Sequence, residues 1–183
     1  MRSVGSIYVS FLDPLPPEWA GTLVGELGGL FPQEVRLMEA PLDLRPAYSP
    51  ERNQYHATLL LASLLRTLPE PGSRILGITG VDLYIPVLTF VFGQAQLAGP
   101  GSILSTYRLQ NEFYGLPPDP DVLLDRVMKE AVHELGHSFG LVHCPDFRCV
   151  MNASTYVEEV DLKGDWYCPA CEDRMPFLSR FPG

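Results

Sequence analysis

Apolar positions recur along this chain first at a period near two and later at helical spacing. Val4 to Phe11 alternates loosely and is rich in Val, Ile and Tyr, which predicts a strand. Pro14, Pro16 and Pro17 end it, and Glu18 to Leu30 follows as a helix weakened by Gly25, Gly28 and Gly29. Glu34 to Met38 reads as a second strand and Asp43 to Pro50 as a Pro-rich loop. Gln54 to Leu68 carries Leu61, Leu64, Leu65 and Leu68 at helical spacing and predicts a second helix, ended by Pro69 to Ser73. Arg74 to Ile85 reads as a buried strand with an interruption around Gly77 to Gly80. Phe90 to Ala98 and Ser102 to Leu109 read as two further strands joined by a turn containing Gly99, Pro100 and Gly101. This order predicts an α/β (α+β) fold, a twisted mixed sheet with helices packed on it.

The last long helix has the best start signal. Asp119 or Asp121 can cap it, with Pro120 in its first turn. Its apolar stripe is Leu124, Val127, Met128, Ala131, Leu135 and Phe139, and Gly140 supplies a stop. Beyond Gly140 the pattern predicts loop, until a short helix near Ala170 to Phe181. There are no internal repeats.

Composition narrows the class. A chain of 183 residues, 46% hydrophobic and 19% charged, fits one globular domain. A formal net charge of -9 offers no electrostatic footprint for nucleic acid and disfavours anionic membranes. The longest apolar stretch, Gly80 to Phe92, contains Asp82 and Pro86 and falls short of the roughly 20 apolar residues of a spanning helix. Ile7 to Leu12 is too short a run for a signal peptide. The expectation is a cytoplasmic monomer without nucleic-acid or membrane partners.

The chemistry concentrates between residues 133 and 171. His133 and His137 stand four apart on the predicted helix, hence on one face, and point away from the Ala131, Leu135, Phe139 stripe. Two imidazoles so placed can hold one zinc ion. Glu134 projects roughly 100° from His133, where a carboxylate can take a proton from water activated by the ion and later pass one to a leaving amine. Gly140 lets the chain leave the helix sharply in a left-handed conformation, so that His143 can return as third ligand. Three histidines leave a fourth position open, which marks a catalytic rather than a structural site. Three of the 4 histidines fall within this eleven-residue span; His56 stands alone near a helix start and reads as a surface or capping residue. Met151, eight residues after His143, can provide an apolar floor beneath the ligands.

All 4 cysteines follow this span, as Cys144 with Cys149 and Cys168 with Cys171. Two close thiol pairs are the usual way to build a tetrahedral structural zinc site. Two disulfides, an iron–sulfur cluster or free thiols are the other readings of the same residues.

The run His133 to His143, followed by Met151 in the turn from Cys149 to Asn152, resembles the metzincin clan of metallopeptidases. Cys144 directly after the third histidine, Cys149, and the late Cys168-Pro169-Ala170-Cys171 resemble the archaemetzincins in particular. The resemblance implies a metzincin-like zincin fold in a single catalytic domain. Residues 1–140 would form an N-terminal subdomain with the active-site helix at about 120–139, and residues 141–183 a small irregular C-terminal subdomain. It further implies that His133, His137 and His143 bind a catalytic zinc, that Met151 is the Met-turn residue, and that the cysteines bind a second, structural zinc. An extended peptide would pair with an edge strand lying within Phe90 to Ala98. No tyrosine directly follows the Met-turn, so oxyanion stabilisation falls to the ion or to other residues. The resulting expectation is peptide-bond hydrolysis with Glu134 as general base. Its rival is a zinc-stabilised peptide-binding or regulatory domain with little hydrolytic activity.

Overall fold

The structure is a computed structural model that describes residues 5–13 and 16–175. The larger sheet has five strands in the order β2-β1-β5-β8-β7. These are β1 (Ile7–Phe11), β2 (Val35–Leu37), β5 (Arg74–Thr79), β7 (Gly93–Ala95) and β8 (Gly101–Ser105). The pairs β1–β2, β1–β5 and β5–β8 are parallel, and β7 alone runs antiparallel, on β8. A sheet covered by helices on both faces needs strands that are apolar on both faces, and β1 and β8 are buried at every residue.

Successive residues of each strand feed two cores. Ile7, Val9, Phe11, Leu76, Ile78 and Leu104 pack with helices α1 (Ala20–Leu30) and α3 (Pro120–Ser138). Tyr8, Ile75 and Ile103 pack on the other face with Ala57, Leu60, Leu61 and Leu64 of helix α2 (Ala57–Leu65). Helix α2 lies so close to the sheet that a Cβ at Gly77 would overlap Leu64.

Several boundaries depart from the sequence pattern. The expected helix from Gln54 begins only at Ala57, because Gln54–His56 is strand β4 of a second, three-stranded sheet. There it pairs with β3 (Tyr48–Ser49), inside the expected loop, and with β6 (Leu83–Tyr84). The Gln54 amide explains the choice: it donates to Asp82 and to the Thr89 carbonyl, both distant in sequence. The expected strand Arg74 to Ile85 is therefore two strands in two sheets. Its break falls after Thr79, where the Asp13 carboxylate accepts from the Gly80 N–H at 2.7 Å. The hairpin around Gly99 to Gly101 forms, with strands shorter than the pattern suggests. Strand β7, within Phe90 to Ala98, is an edge of the larger sheet. The start of the first strand at Val4 and the end of the last helix at Phe181 lie outside the described residues.

Helix α3 starts as its sequence signals: Asp119 accepts from the Val122 N–H at 3.1 Å and Pro120 opens the helix. From Arg126 to Gly136 every residue is buried. The sheet and α1 cover the stripe Val127, Ala131 and Leu135. The segment after Gly140 covers much of the rest, through Val150, Met151, Val157, Val160 and Tyr167 of the same core. That segment contains a helix the sequence pattern missed, α4 (Val157–Leu162), besides α5 (Pro169–Glu172). Helix α4 buries only two valines and is fixed to α3 by the Arg126–Asp161 ion pair at 2.6 Å. No helix among the described residues is long and apolar enough to cross a membrane.

Candidate metal centres

The end of α3 is built by Gly140. Its φ of 101° is left-handed, and two bonds close the turn: Gly140 N–H to His137 O and Leu141 N–H to Gly136 O, each 2.9 Å. These are the two bonds of a Schellman motif. The reversal sends His143 back toward the helix, and the ring centroids of His133, His137 and His143 lie 4.7 to 5.3 Å apart. One ring nitrogen from each lies within 4.8 Å of the others. His56 is not among them. It precedes α2, half-buried against Tyr84, and makes no side-chain cap bond.

Hydrogen bonds decide which nitrogens are available. His133 Nδ1 lies 2.8 Å from Val150 O, and His137 Nδ1 lies 2.8 Å from Leu141 O. A carbonyl only accepts, so each Nδ1 must carry the proton and each Nε2 is left with a lone pair. The two Nε2 atoms are 3.1 Å apart and cannot bond to each other in these tautomers. Two lone pairs facing at that distance repel unless a cation lies between them, and tetrahedral ligands at about 2.0–2.1 Å from zinc are separated by a similar distance. Burial chiefly, helped by the Lys163 ammonium, holds His133 well below the ordinary imidazole range, and burial lowers His137 and His143 as well. Neutral imidazoles are what a metal requires.

Glu134 lies beside them with 4% of its surface exposed, and its Oε2 has no hydrogen-bond partner among the described residues. Burial first, then the neighbouring Glu130 carboxylate, push its pKa well up, while Lys163 opposes. A buried carboxylate so poorly solvated favours a nearby cation or a proton. Glu134 and the three histidines line one cleft of about 520 Å³, whose other wall is Phe90 to Ala95.

The four cysteines form a second group. Cys144 Sγ lies 3.8 Å from Cys168 Sγ, and Cys149 Sγ lies 3.8 Å from Cys171 Sγ, with all four within 4.8 Å. All four thiols are free. A tetrahedron of sulfurs at the usual Zn–S distance of about 2.3 Å has edges of about 3.8 Å, so this arrangement fits zinc.

Met151 is fully buried and its sulfur packs against Gly136, where any Cβ would overlap it. Gly136, an unspecified position of the histidine motif, thus admits the methionine beneath the helix. Tyr167 crowds the same glycine and donates to Val132 O at 2.8 Å. Three further contributors escaped the sequence reading. Gly93 abuts the Glu134 carboxylate, and Arg74 stacks on Phe139 while donating to Ser138 O at the helix end. A buried pair joins Glu130 to Lys163. Of these, only Glu130 had a signal: a second carboxylate on the histidine face of α3.

Comparison with known proteins gives consistent matches. The pattern of Peptidase family M54 matches residues 47–176. The archaemetzincin of Methanocaldococcus jannaschii is 48% identical over 138 residues, covering 73% of this chain and 74% of its own. The crystal structure of archaemetzincin from Methanopyrus kandleri superposes with a TM-score of 0.81 at 38% identity, covering 98% of this chain and 97% of that one. The zinc-dependent peptidase from Methanocorpusculum labreanum also gives 0.81, at 29% identity, covering 93% of this chain and 100% of that one.

Proposed function

The chain belongs to peptidase family M54, the archaemetzincins, and is a zinc metallopeptidase; from that premise we propose that His133, His137 and His143 hold its catalytic zinc and that Glu134 is its general base. The observation that carries this reading is the pair of tautomers, which leave two lone pairs 3.1 Å apart, that of His133 on a buried ring, with His143 closing on them. When bound, zinc supplies a Lewis acid and lowers the pKa of water at the cleft. The Glu134 carboxylate takes a proton from the attacking water and delivers it to the leaving amine nitrogen. His133 and His137 keep their orientation because Val150 O and Leu141 O hold their Nδ1–H groups. Met151 is the Met-turn residue, an apolar floor set against Gly136. Gly140 is the hinge on which His143 depends.

Substrate lies extended along β7, adding a strand to a free sheet edge. The cleft walls Leu88, Phe90, Phe92 and Val142 suit apolar side chains flanking the cleaved bond. In one catalytic domain, the N-terminal subdomain within residues 1–140 carries β7 and α3, and the C-terminal subdomain from residue 141 carries His143, the Met-turn and the cysteine centre. Cys144, Cys149, Cys168 and Cys171 hold a second, structural zinc, for two ions per chain. Four free thiols kept for a metal suit a reducing compartment, which supports a cytoplasmic location. We take the active unit to be the monomer, because every group named here comes from one chain. The rival reading, a binding module without hydrolysis, leaves the buried Glu134 carboxylate without a role.

Metal content tests the assignment. The wild-type chain is expected to carry two zinc ions, and His137→Ala and Cys168→Ser one each. His137→Ala should retain its fold, whereas Cys168→Ser should lose thermal stability, because its zinc joins the segment at Cys144 and Cys149 to the short helix at Cys168 and Cys171. Two ions retained by His137→Ala would remove that histidine from the ligand set.

A further inference from the structure

One buried ion pair has no part in the reaction described so far. The Lys163 side chain is 0% exposed and therefore cannot touch substrate. Its Nζ donates to Glu130 Oε1 at 2.8 Å and to Asn152 O at 3.4 Å. Glu130 is 4% exposed, lies one turn before Glu134 on α3, and lines the same cleft. Asn152 directly follows Met151. Its side-chain amide donates to Cys144 O at 2.8 Å, and the Cys144 N–H donates to Met151 O at 2.9 Å. Cys144 is the residue after His143.

We propose that Lys163 is a positioning residue for the histidine centre. Its ammonium ties α3, which carries His133 and His137, to the turn at Met151 and Asn152, and that turn holds the segment bearing His143. The inference rests on the reading that the three histidines bind the catalytic zinc.

The physical argument is preorganisation. His133 and His137 are fixed to each other by one helix, whereas His143 is half-exposed on an irregular segment. The spacing between helix and turn decides whether the third ligand arrives at bonding distance. Beside the His133–Val150 bond and the Met151–Gly136 contact, the ammonium bonds both sides of that spacing near Asn152, and Lys163 is itself anchored at the end of α4, where Arg126 of α3 already grips Asp161. Glu130 matches the charge, so the buried cation places no net positive charge beside the metal. A hydrophobic pair in its place would fill the same volume without reaching the Asn152 carbonyl.

The test uses the full chain and cobalt(II) titration against a competing chelator. Thiolate charge-transfer bands report the cysteine centre and the weaker d–d bands report the histidine centre. Lys163→Met alone strands the Glu130 charge and can unfold the chain, so the informative variant is Glu130→Gln/Lys163→Met, which removes both charges together. It is expected to melt near the wild-type temperature and to load its cysteine centre normally. Its histidine centre should bind cobalt about 10–100-fold more weakly, in the range of lost outer-shell support. At saturating metal, kcat should fall with KM unchanged. A purely structural pair would leave cobalt affinity at the wild-type value, and that result would overturn the proposal. Asn152→Ala cuts the next link while leaving the ion pair intact, and the half-exposed site tolerates it. It is expected to weaken the histidine centre selectively. Should the double variant not fold, Glu130→Gln, which keeps an acceptor in place but removes the charge that holds the ammonium, is read instead, and wild-type cobalt affinity in both it and Asn152→Ala overturns the proposal. A wild-type chain whose d–d bands survive His137→Ala would instead sink the three-histidine reading, and this inference with it.

Discussion

Replacing Glu134 by glutamine is expected to cut peptide cleavage by about 10²–10⁴-fold while leaving the metal content unchanged. The substitution keeps shape and volume, so the 4%-exposed site stays filled. What it removes is the proposed proton acceptor beside the three histidines. At about 1.4 kcal/mol per factor of ten, this loss corresponds to about 3–6 kcal/mol of transition-state stabilisation. Folding of the metal-free chain should gain slightly, because burial and the Glu130 carboxylate, opposed by Lys163, disfavour a charge at this position. Activity and stability are thus expected to move in opposite directions, the signature of a residue kept for chemistry at the expense of the fold. The measurement is hydrolysis of a peptide library by zinc-loaded wild type and variant, with metal content recorded on the same samples and melting temperature on the metal-free chains. Cleavage by Glu134→Gln at the wild-type rate would eliminate the general-base role.

The site was far more legible in the sequence than the sheet was. A helix places residues one and four apart by a fixed rotation, so His133, Glu134 and His137 have their relative geometry as soon as α3 is assigned. The left-handed Gly140 then follows from the need to turn. The cysteine group was legible by its pairing, and Asp119 and Pro120 by capping chemistry. What escaped depends on partners far apart in the chain. Gln54–His56 reads as the start of a helix by apolar spacing, yet bonds to Asp82 and Thr89 hold it extended. Val157–Leu162 is too short for a periodic signal and is held by its capping box, two buried valines and the Arg126–Asp161 pair. Gly136 and Gly93 carry no pattern at all, since their importance is the absence of a Cβ against a side chain from another element. Lys163 carries no sequence signal of its burial, which depends on Glu130 and the Asn152 carbonyl from other segments.

Gly93→Ala gives the second large effect, reached without touching a ligand or the base. Gly93 lies on β7 opposite Leu104, on the cleft wall. A Cβ there would overlap the Glu134 carboxylate and its Cγ. The clashing atoms are the far end of a flexible side chain that lines the cleft, so the overlap is relieved by movement. Either its carboxylate rotates off the position from which it serves water, or β7 shifts away and takes the peptide-pairing edge with it. A displacement of about 1 Å is enough to cost on the order of 100-fold in rate, so kcat is expected to fall by about 10–100-fold with zinc content unchanged. The overpacking itself should cost about 1–3 kcal/mol of stability, leaving a folded protein. Gly25→Ala is the matched control: a Cβ at this exposed α1 glycine meets nothing, and alanine there should raise stability by about 0.5–1 kcal/mol with activity unaltered. A double-mutant cycle assigns the mechanism. If the methyl group acts by displacing Glu134, adding Gly93→Ala to Glu134→Gln should cost almost no further activity, because the displaced base is already gone. Fully additive losses would mean that Gly93 acts through the strand and the substrate it pairs with, and wild-type turnover in the single variant would show that the carboxylate has room to move after all.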